Sequence, residues 1–258
     1  MGHLPTLKHL SEASLSNIRL IATDMDGTLT KKGKFSAKLL QAFEDLEAAE
    51  IKVLIITGRS AGWMSGISQL MPVVGAIAEN GGLFYTSEHD QPVTLTPIPD
   101  LAAHRQSLSV AFAKLKTQFP EIQESADNRF RVTDWTFDVA AFSSDELKIM
   151  AGLCQEMGWG FTYSHVQCHI KPQEQNKAMG LWQVLREYLP TFSREQILSI
   201  GDSPNDESLF DPQHFDVSIG VANVMKYINQ LQHQPQYITQ AAEGDGFCEL
   251  CRYMLSRK

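Results

Sequence analysis

Apolar positions along the chain follow two alternating patterns. Short, nearly unbroken runs at residues 20–22, 52–56, 75–79, 196–200, 216–221 and 237–239 are too brief for helices and read as strands covered on both faces. Between them, apolar residues recur at three- and four-residue spacing. Leu39, Leu40, Phe43 and Leu46 stripe a helix over 36–50 that Ser36 can cap. Further helices are predicted from Ser60 to about 71, over 176–189 with Asn176 as cap, over 224–232, and at the C-terminus. Strands alternating with helices predict an α/β core, a mostly parallel Rossmann-like sheet flanked by helices.

The pattern changes over residues 84–172. Pro92, Pro97 and Pro99 punctuate it. Leu108, Phe112, Leu115 and Phe119 then mark a helix over 101–119. Short runs at 130–133 and 135–142, a helix over 144–157, and strands at 160–163 and 166–170 follow. This mixture lacks βαβ regularity and predicts a separate inserted α+β unit. The expected organisation is a tail at 1–17, a core made of 18–83 and 173–258, and an insertion at 84–172. The tail carries Lys8, His9 and Glu12 and reads as a mobile or capping segment rather than a secretory signal. Its first six residues formally match a myristoylation pattern.

Composition narrows the function. The 258 residues are 43% hydrophobic and 20% charged, ordinary for a soluble globular protein, and no apolar run reaches the length of a membrane span. A formal charge of −8 argues against nucleic acid or an anionic membrane as partner, so an anionic substrate needs a local positive site. Four cysteines predict a reducing cytoplasm. Cys248 and Cys251 have CxxC spacing, but they share the apolar face of the last helix and read as core.

The candidate chemistry lies at strand ends. Asp24 and Asp26 follow the first strand at i and i+2, so an extended chain turns both carboxylates toward one pocket, and Gly27 allows a sharp turn there. Taken alone, this stretch fits an Asp-rich turn or a calcium loop equally well. The second strand closes in Thr57-Gly58-Arg59-Ser60 at a helix start, where backbone donors and the dipole favour an anion. Asn80-Gly81-Gly82 reads as a turn leaving the core. Lys177 falls in the first turn of a helix, where a cation opposes the dipole, a locally unfavourable choice that asks for another reason. Gly201-Asp202-Ser203-Pro204-Asn205-Asp206 closes a further strand.

Asp24-Met-Asp26-Gly-Thr-Leu-Thr, Thr57-Gly-Arg, Asn176-Lys177 and Gly201-Asp-Ser-Pro-Asn-Asp206 together resemble the four ordered signatures of the haloacid dehalogenase superfamily of phosphohydrolases. The Thr-Gly-Arg and Glu-Asn-Gly forms, and the place of the insertion, resemble its Cof-like branch, with sugar-phosphate and sucrose-phosphate phosphatases. The resemblance implies a catalytic core under an inserted cap and a Mg²⁺-dependent phosphatase working through an aspartyl-phosphate. Phosphate monoesters are so inert that up to about 10²¹ in rate can be needed, and a carboxylate nucleophile divides that task into two transfers. Oxygen-only ligands in a small site select Mg²⁺.

By the same resemblance, Asp24 is the nucleophile and Asp26 the general acid and base. Thr57, Gly58, Lys177 and Asn205 hold phosphate. Asp24, the backbone carbonyl of Asp26, and Asp202 hold the metal, with Asp206 orienting the metal shell or Lys177. Arg59, Arg129, Arg131, His165, His169 and Gln173 are candidates for contacts to the leaving group. The expected substrate is a small phosphorylated metabolite, foremost a sugar phosphate. Two other readings remain: a phosphomutase, separable by positional isomer in place of free phosphate, and a receiver-type module, separable by long-lived phosphorylation without turnover.

Overall fold

In the computed structural model, which describes residues 4–86, 88–89, 91–139 and 142–257, the chain begins with a short α1 (Glu12–Ser16) and enters β1 (Leu20–Thr23). There follow α2 (Ala37–Ala48), β2 (Lys52–Ile56), α3 (Ala61–Leu70), β3 (Gly75–Ala78), β4 (Leu83–Tyr85) and β5 (Val93–Thr94). Next come α4 (Leu101–Gln118), β6 (Trp135–Asp138), α5 (Ser144–Glu156), β7 (Gly160–Tyr163) and β8 (Gln167–Lys171). The chain closes with α6 (Lys177–Glu187), β9 (Ile197–Gly201), β10 (Val217–Gly220), β11 (Tyr237–Ile238) and α7 (Glu243–Leu255).

Eight strands form one sheet in the order β11-β10-β9-β1-β2-β3-β4-β5. All pairings from β11 to β3 are parallel; β4 and β5 add an antiparallel edge. The predicted mostly parallel, helix-flanked sheet is therefore what the chain forms. Each inner strand is apolar because each is covered twice. Ile21 joins a cluster with Leu39, Phe43 and Leu46 of α2 and Phe247 and Leu250 of α7. Its neighbours Leu20 and Ala22 face the opposite cluster, with Leu181 and Val184 of α6 and Phe215. Chain connections depart in opposite directions on the two sides of β1, which leaves a crevice beyond its carboxyl end.

The second sheet, β6-β8-β7, is antiparallel and belongs to the inserted unit. One face packs on α4 and α5 through Phe137, Cys168, Ile170, Leu108, Leu115 and Met150. Its other face, carrying Thr136, Thr162, Gln167, His169 and Lys171, contributes no residue to that apolar cluster.

Several expected boundaries shift. The core sheet extends through β4 and β5, because Leu83 and Phe84 bury in the core clusters; the inserted unit thus starts beyond residue 84. Residues 131–133 form no strand. The N–H groups of Val132 and Thr133 go to the Glu79 carboxylate instead of a neighbouring chain, and that of Arg131 closes the 3₁₀ turn at Asn128–Phe130 on the Asn128 carbonyl. Residues 224–232 hold two 3₁₀ segments, Ala222–Lys226 and Ile228–Gln230, in place of a helix. In the N-terminal segment, Leu7, Leu10 and Leu15 are buried in the core and Thr6 bridges Ile238, so it caps the core. Residues 1–3 of the myristoylation match lie outside the described residues.

Gly81 sits at φ +106°, and a Cβ there would lie 2.2 Å from the carbonyl oxygen of Asn176, which caps α6. Gly81→Ala should cost about 2 kcal/mol or more through strain and overpacking. Gly33 also has positive φ but open space around it, so Gly33→Ala should cost about 1 kcal/mol. Denaturant midpoints of the two variants measure the difference.

Candidate active site

Four loops meet beyond the carboxyl ends of β1, β2 and β9. Asp24 follows β1, with its N–H bonded to the Ile200 carbonyl of β9 at 2.9 Å. Thr57 follows β2, and its N–H goes to Ile77 of β3 at 2.8 Å. Asp202 follows β9. Lys177 opens α6 and is fully buried.

The Lys177 ammonium lies between two carboxylates, 2.5 Å from Asp24 Oδ1 and 2.6 Å from Asp206 Oδ1. Burial opposes its charge, yet Asp206 and Asp24 outweigh that and raise its pKa. Asp24, Asp202 and Asp206 offer oxygens within 4.8 Å of one another, all buried. Burial, reinforced by Asp206 and only partly offset by Lys177, pushes Asp24 up to about 7. Asp202 is raised well above the usual carboxylate range, again by burial first and then by Asp24 and Asp206. Asp24 Oδ2 is buried with no hydrogen-bond partner. Three carboxylates face one ammonium, and one of their oxygens is left without a donor. Such a set, hard oxygens with excess negative charge, fits a small divalent cation.

Each acid is held in place. Asp206 Oδ2 accepts the backbone N–H groups of Asp202 at 2.8 Å and Ser203 at 3.1 Å. Asn223 donates to Asp202 Oδ2 at 2.7 Å and to the Gly27 carbonyl at 3.0 Å. Asn205 donates to Asn80 Oδ1 at 3.0 Å, joining the loop after β9 to the turn after β3. Arg59 grips Asp26 with both fork nitrogens, at 2.8 and 2.7 Å, and stacks on Trp63 with 4.5 Å to the ring centre.

The inserted unit closes over this floor. Asp24, Asp26, Thr57, Gly58, Arg59 and Asn205 from below, and Ser164, Val166, Gln167 and His169 from above, line one narrow pocket. The Glu79 carboxylate accepts the N–H of Ala61 within the core and, across the interface, the N–H groups of Val132 and Thr133 and the Thr133 hydroxyl. Arg131 donates to the Gly58 carbonyl at 3.0 Å while paired with Asp134 and Asp127.

A family model described as haloacid dehalogenase-like hydrolase matches residues 21–119 and 102–250. The chain belongs to the haloacid dehalogenase-like hydrolases. It is an enzyme, a phosphoric monoester hydrolase of the Cof-like branch. A phosphoglycolate phosphatase of Methanothermobacter thermautotrophicus is 28% identical over 240 residues, spanning 91% of this chain and 98% of the relative. Phosphoglycolate phosphatase 1 of Saccharolobus solfataricus is 26% identical over 242 residues, 92% and 96% of the two chains. The fold is shared with the C-terminal domain of C. albicans trehalose-6-phosphate phosphatase, with a TM-score of 0.71, 16% identity and 98% of each chain covered. It is also shared with a sugar phosphatase of subclass IIB, at TM-score 0.67, 16% identity, and coverage of 91% and 98%.

In this hydrolase the structure brings Asp24, Lys177, Asp202 and Asp206 into contact and sets Asp26, Thr57, Gly58, Arg59 and Asn205 around the same pocket. The acidic cluster contains the Asp206 carboxylate, whereas the Asp26 carboxylate is occupied by Arg59. Among the leaving-group candidates, His169 lines the pocket, and His165 reaches to 3.8 Å from Asp202 Oδ2. Arg131 is instead sealed into the interface. Arg129 stacks on Phe130, and Gln173 lines a groove beside α6. Neither Arg129 nor Gln173 lines the pocket at Asp24: Arg129 sits in the 3₁₀ turn between α4 and β6, and Gln173 on the chain leaving the inserted unit. Glu79, Asn80, Asp134 and Asn223 escaped sequence reasoning as polar site residues. Glu79 ended a predicted strand and Asn80 opened a stretch read as a turn, and nothing in the spacing marks Asp134 or Asn223. No helix among the described residues is long and apolar enough to cross a membrane.

A carboxyl group near 3.8 when unfolded and about 7 when folded keeps its proton longer in the native state. Its contribution to stability is therefore full below pH 4 and lost as pH rises toward 7. Without metal, stability should fall across that window. Added Mg²⁺ should raise the thermal midpoint more at pH 7.5 than at pH 5, which paired melts at the two pH values measure.

Proposed function

We propose that the protein is a Mg²⁺-dependent phosphatase for a small polar phosphate monoester, acting through an aspartyl-phosphate on Asp24. The observation that carries this is the orphaned Asp24 Oδ2, a buried carboxylate oxygen with no donor beside a fixed ammonium. Asp24 attacks phosphorus as the bond to the leaving oxygen breaks, and Asp26 gives that oxygen its proton. Asp26 then takes a proton from water, whose oxygen attacks the aspartyl-phosphate and frees both Asp24 and inorganic phosphate. The Arg59 fork orients the Asp26 carboxylate for the second step, as base, and one of its two bonds opens for Asp26 to carry the proton of the first. Thr57, the Gly58 turn, Lys177 and Asn205 hold the phosphate, and Lys177 lowers the repulsion between it and Asp24. Mg²⁺, held by Asp24, Asp202 and the Asp26 carbonyl, supplies the remaining positive charge that two approaching anions require.

The substrate is small because the inserted unit leaves only a narrow pocket over Asp24. Sugar phosphates and the phosphoglycolate of the relatives both fall within this class and form the first panel to test.

Asp24→Asn should abolish Mg²⁺-dependent phosphate release, and Asp26→Asn should reduce it about 10²- to 10⁴-fold, with both proteins retaining native circular dichroism. Near-normal turnover by either variant would overturn the mechanism, as would full activity in excess chelator.

A further inference from the structure

The turn that follows β2 is tied down by its own backbone and by the inserted unit. Thr57 donates its N–H to Ile77 of β3, and its carbonyl accepts the N–H of Asn80 at 2.9 Å. The Arg59 carbonyl accepts the N–H of Glu79 at 3.0 Å. The Arg59 N–H turns back to the Thr57 hydroxyl oxygen at 3.1 Å. From the inserted unit, Arg131 donates to the Gly58 carbonyl at 3.0 Å. Among the described residues, the Gly58 N–H and the Thr57 O–H have no acceptor. Both belong to residues that line the pocket beside Asp24.

Arg131 is aimed at that carbonyl by its other partners. Its side chain is closed to solvent, paired with Asp134 at 2.9 Å and Asp127 at 3.0 Å, and Gln167 accepts from it at 2.9 Å. Asp134, itself fully buried, also holds His169 through Nδ1 at 2.8 Å. The His169 ring abuts the same glycine: a Cβ at Gly58 would lie 3.0 Å from its Cε1 and 3.1 Å from its Nε2. Asp134 thus anchors two side chains of the inserted unit against one glycine of the core.

The Gly58 carbonyl and the Arg59 N–H belong to one planar peptide, so fixing the first fixes the second. That N–H engages a lone pair of Thr57 Oγ1. A hydroxyl that accepts in this way keeps its own proton for a further acceptor. A guanidinium on the carbonyl also polarises the peptide and strengthens its N–H as a donor. We infer that Arg131 is a positioning residue, which holds the Gly58–Arg59 peptide so that the Thr57 hydroxyl stays aimed at the phosphate. This rests on the phosphatase reading above and makes the inserted unit part of that site's hold on phosphate, whatever the leaving group.

The test is a double-mutant cycle of Arg131→Met and Thr57→Val, read in turnover of p-nitrophenyl phosphate with Mg²⁺ and in competitive inhibition by inorganic phosphate. Arg131→Met should lower kcat/KM by about 10- to 100-fold and raise the Ki of phosphate, a ligand with no leaving group, by about fivefold or more. In the Thr57→Val background the same substitution should change either quantity by less than about twofold, since the hydroxyl it aims is already gone. If the losses multiply in the double variant, or if Arg131→Met leaves the phosphate Ki unchanged, Arg131 only joins the two units and the inference fails. Should Arg131→Met not fold, Arg131→Lys takes its place under the same two criteria. It keeps a charge beside Asp134, but a single ammonium cannot span Asp127, Asp134 and the Gly58 carbonyl. Absence of phosphate release by the wild type, from this ester and from the panel above, would instead sink the phosphatase reading itself.

Discussion

A single buried ammonium organises this molecule. Lys177 holds Asp24 and Asp206 apart at hydrogen-bond distance in a space closed to solvent, and the loops after β1 and β9 and the start of α6 converge on that point. Removing the ammonium alone would leave buried carboxylates unpaired, at a cost of several kcal/mol, whereas neutralising Asp24 leaves Lys177 its bond to Asp206. It is also incomplete as it stands. Two negative charges remain beyond the one that Lys177 balances, which is why burial drives Asp24 and Asp202 toward their protonated forms and why a hard cation fits.

The same logic extends to the junction with the inserted unit. Glu79, Asn80 and Gly81 stand consecutively at positive φ, strained for the two non-glycine residues. The strain is sustained because the turn serves three neighbours. Glu79 gathers donors from α3 and from residues 132 and 133, and Asn80 steadies Asn205. Gly81 lets the backbone pass against Asn176 at the head of α6. A turn that fixes the inserted unit, the phosphate-side loop and the position of Lys177 links cover to chemistry directly. Arg131, Asp134 and His169 continue that link to the roof of the pocket.

The core was legible because its strands are covered on both faces and so carry nearly unbroken apolar runs, while its helices show one apolar stripe. Asp24, Thr57, Lys177 and Asp202 stood out because each falls at a strand end or helix start, where local rules leave a polar residue unexplained. The inserted unit was harder. Residues 130–133 have a strand-like composition, yet the N–H groups of Val132 and Thr133 serve the remote Glu79 carboxylate, and 84–94 fall in the expected insertion although β4 and β5 extend the core sheet.

From its sequence alone the chain determined the mostly parallel sheet, the family, and the acids and lysine that meet at the crevice, because periodicity and short motifs are local properties. Tertiary structure decided which polar groups are spent and which stay available. Arg131 and Lys171 look alike as basic residues of the insertion, but one donates to Asp134, Asp127, Gln167 and the Gly58 carbonyl and the other to a single carbonyl. That difference depends on burial and on partners remote in the chain, which no pattern of neighbouring residues encodes.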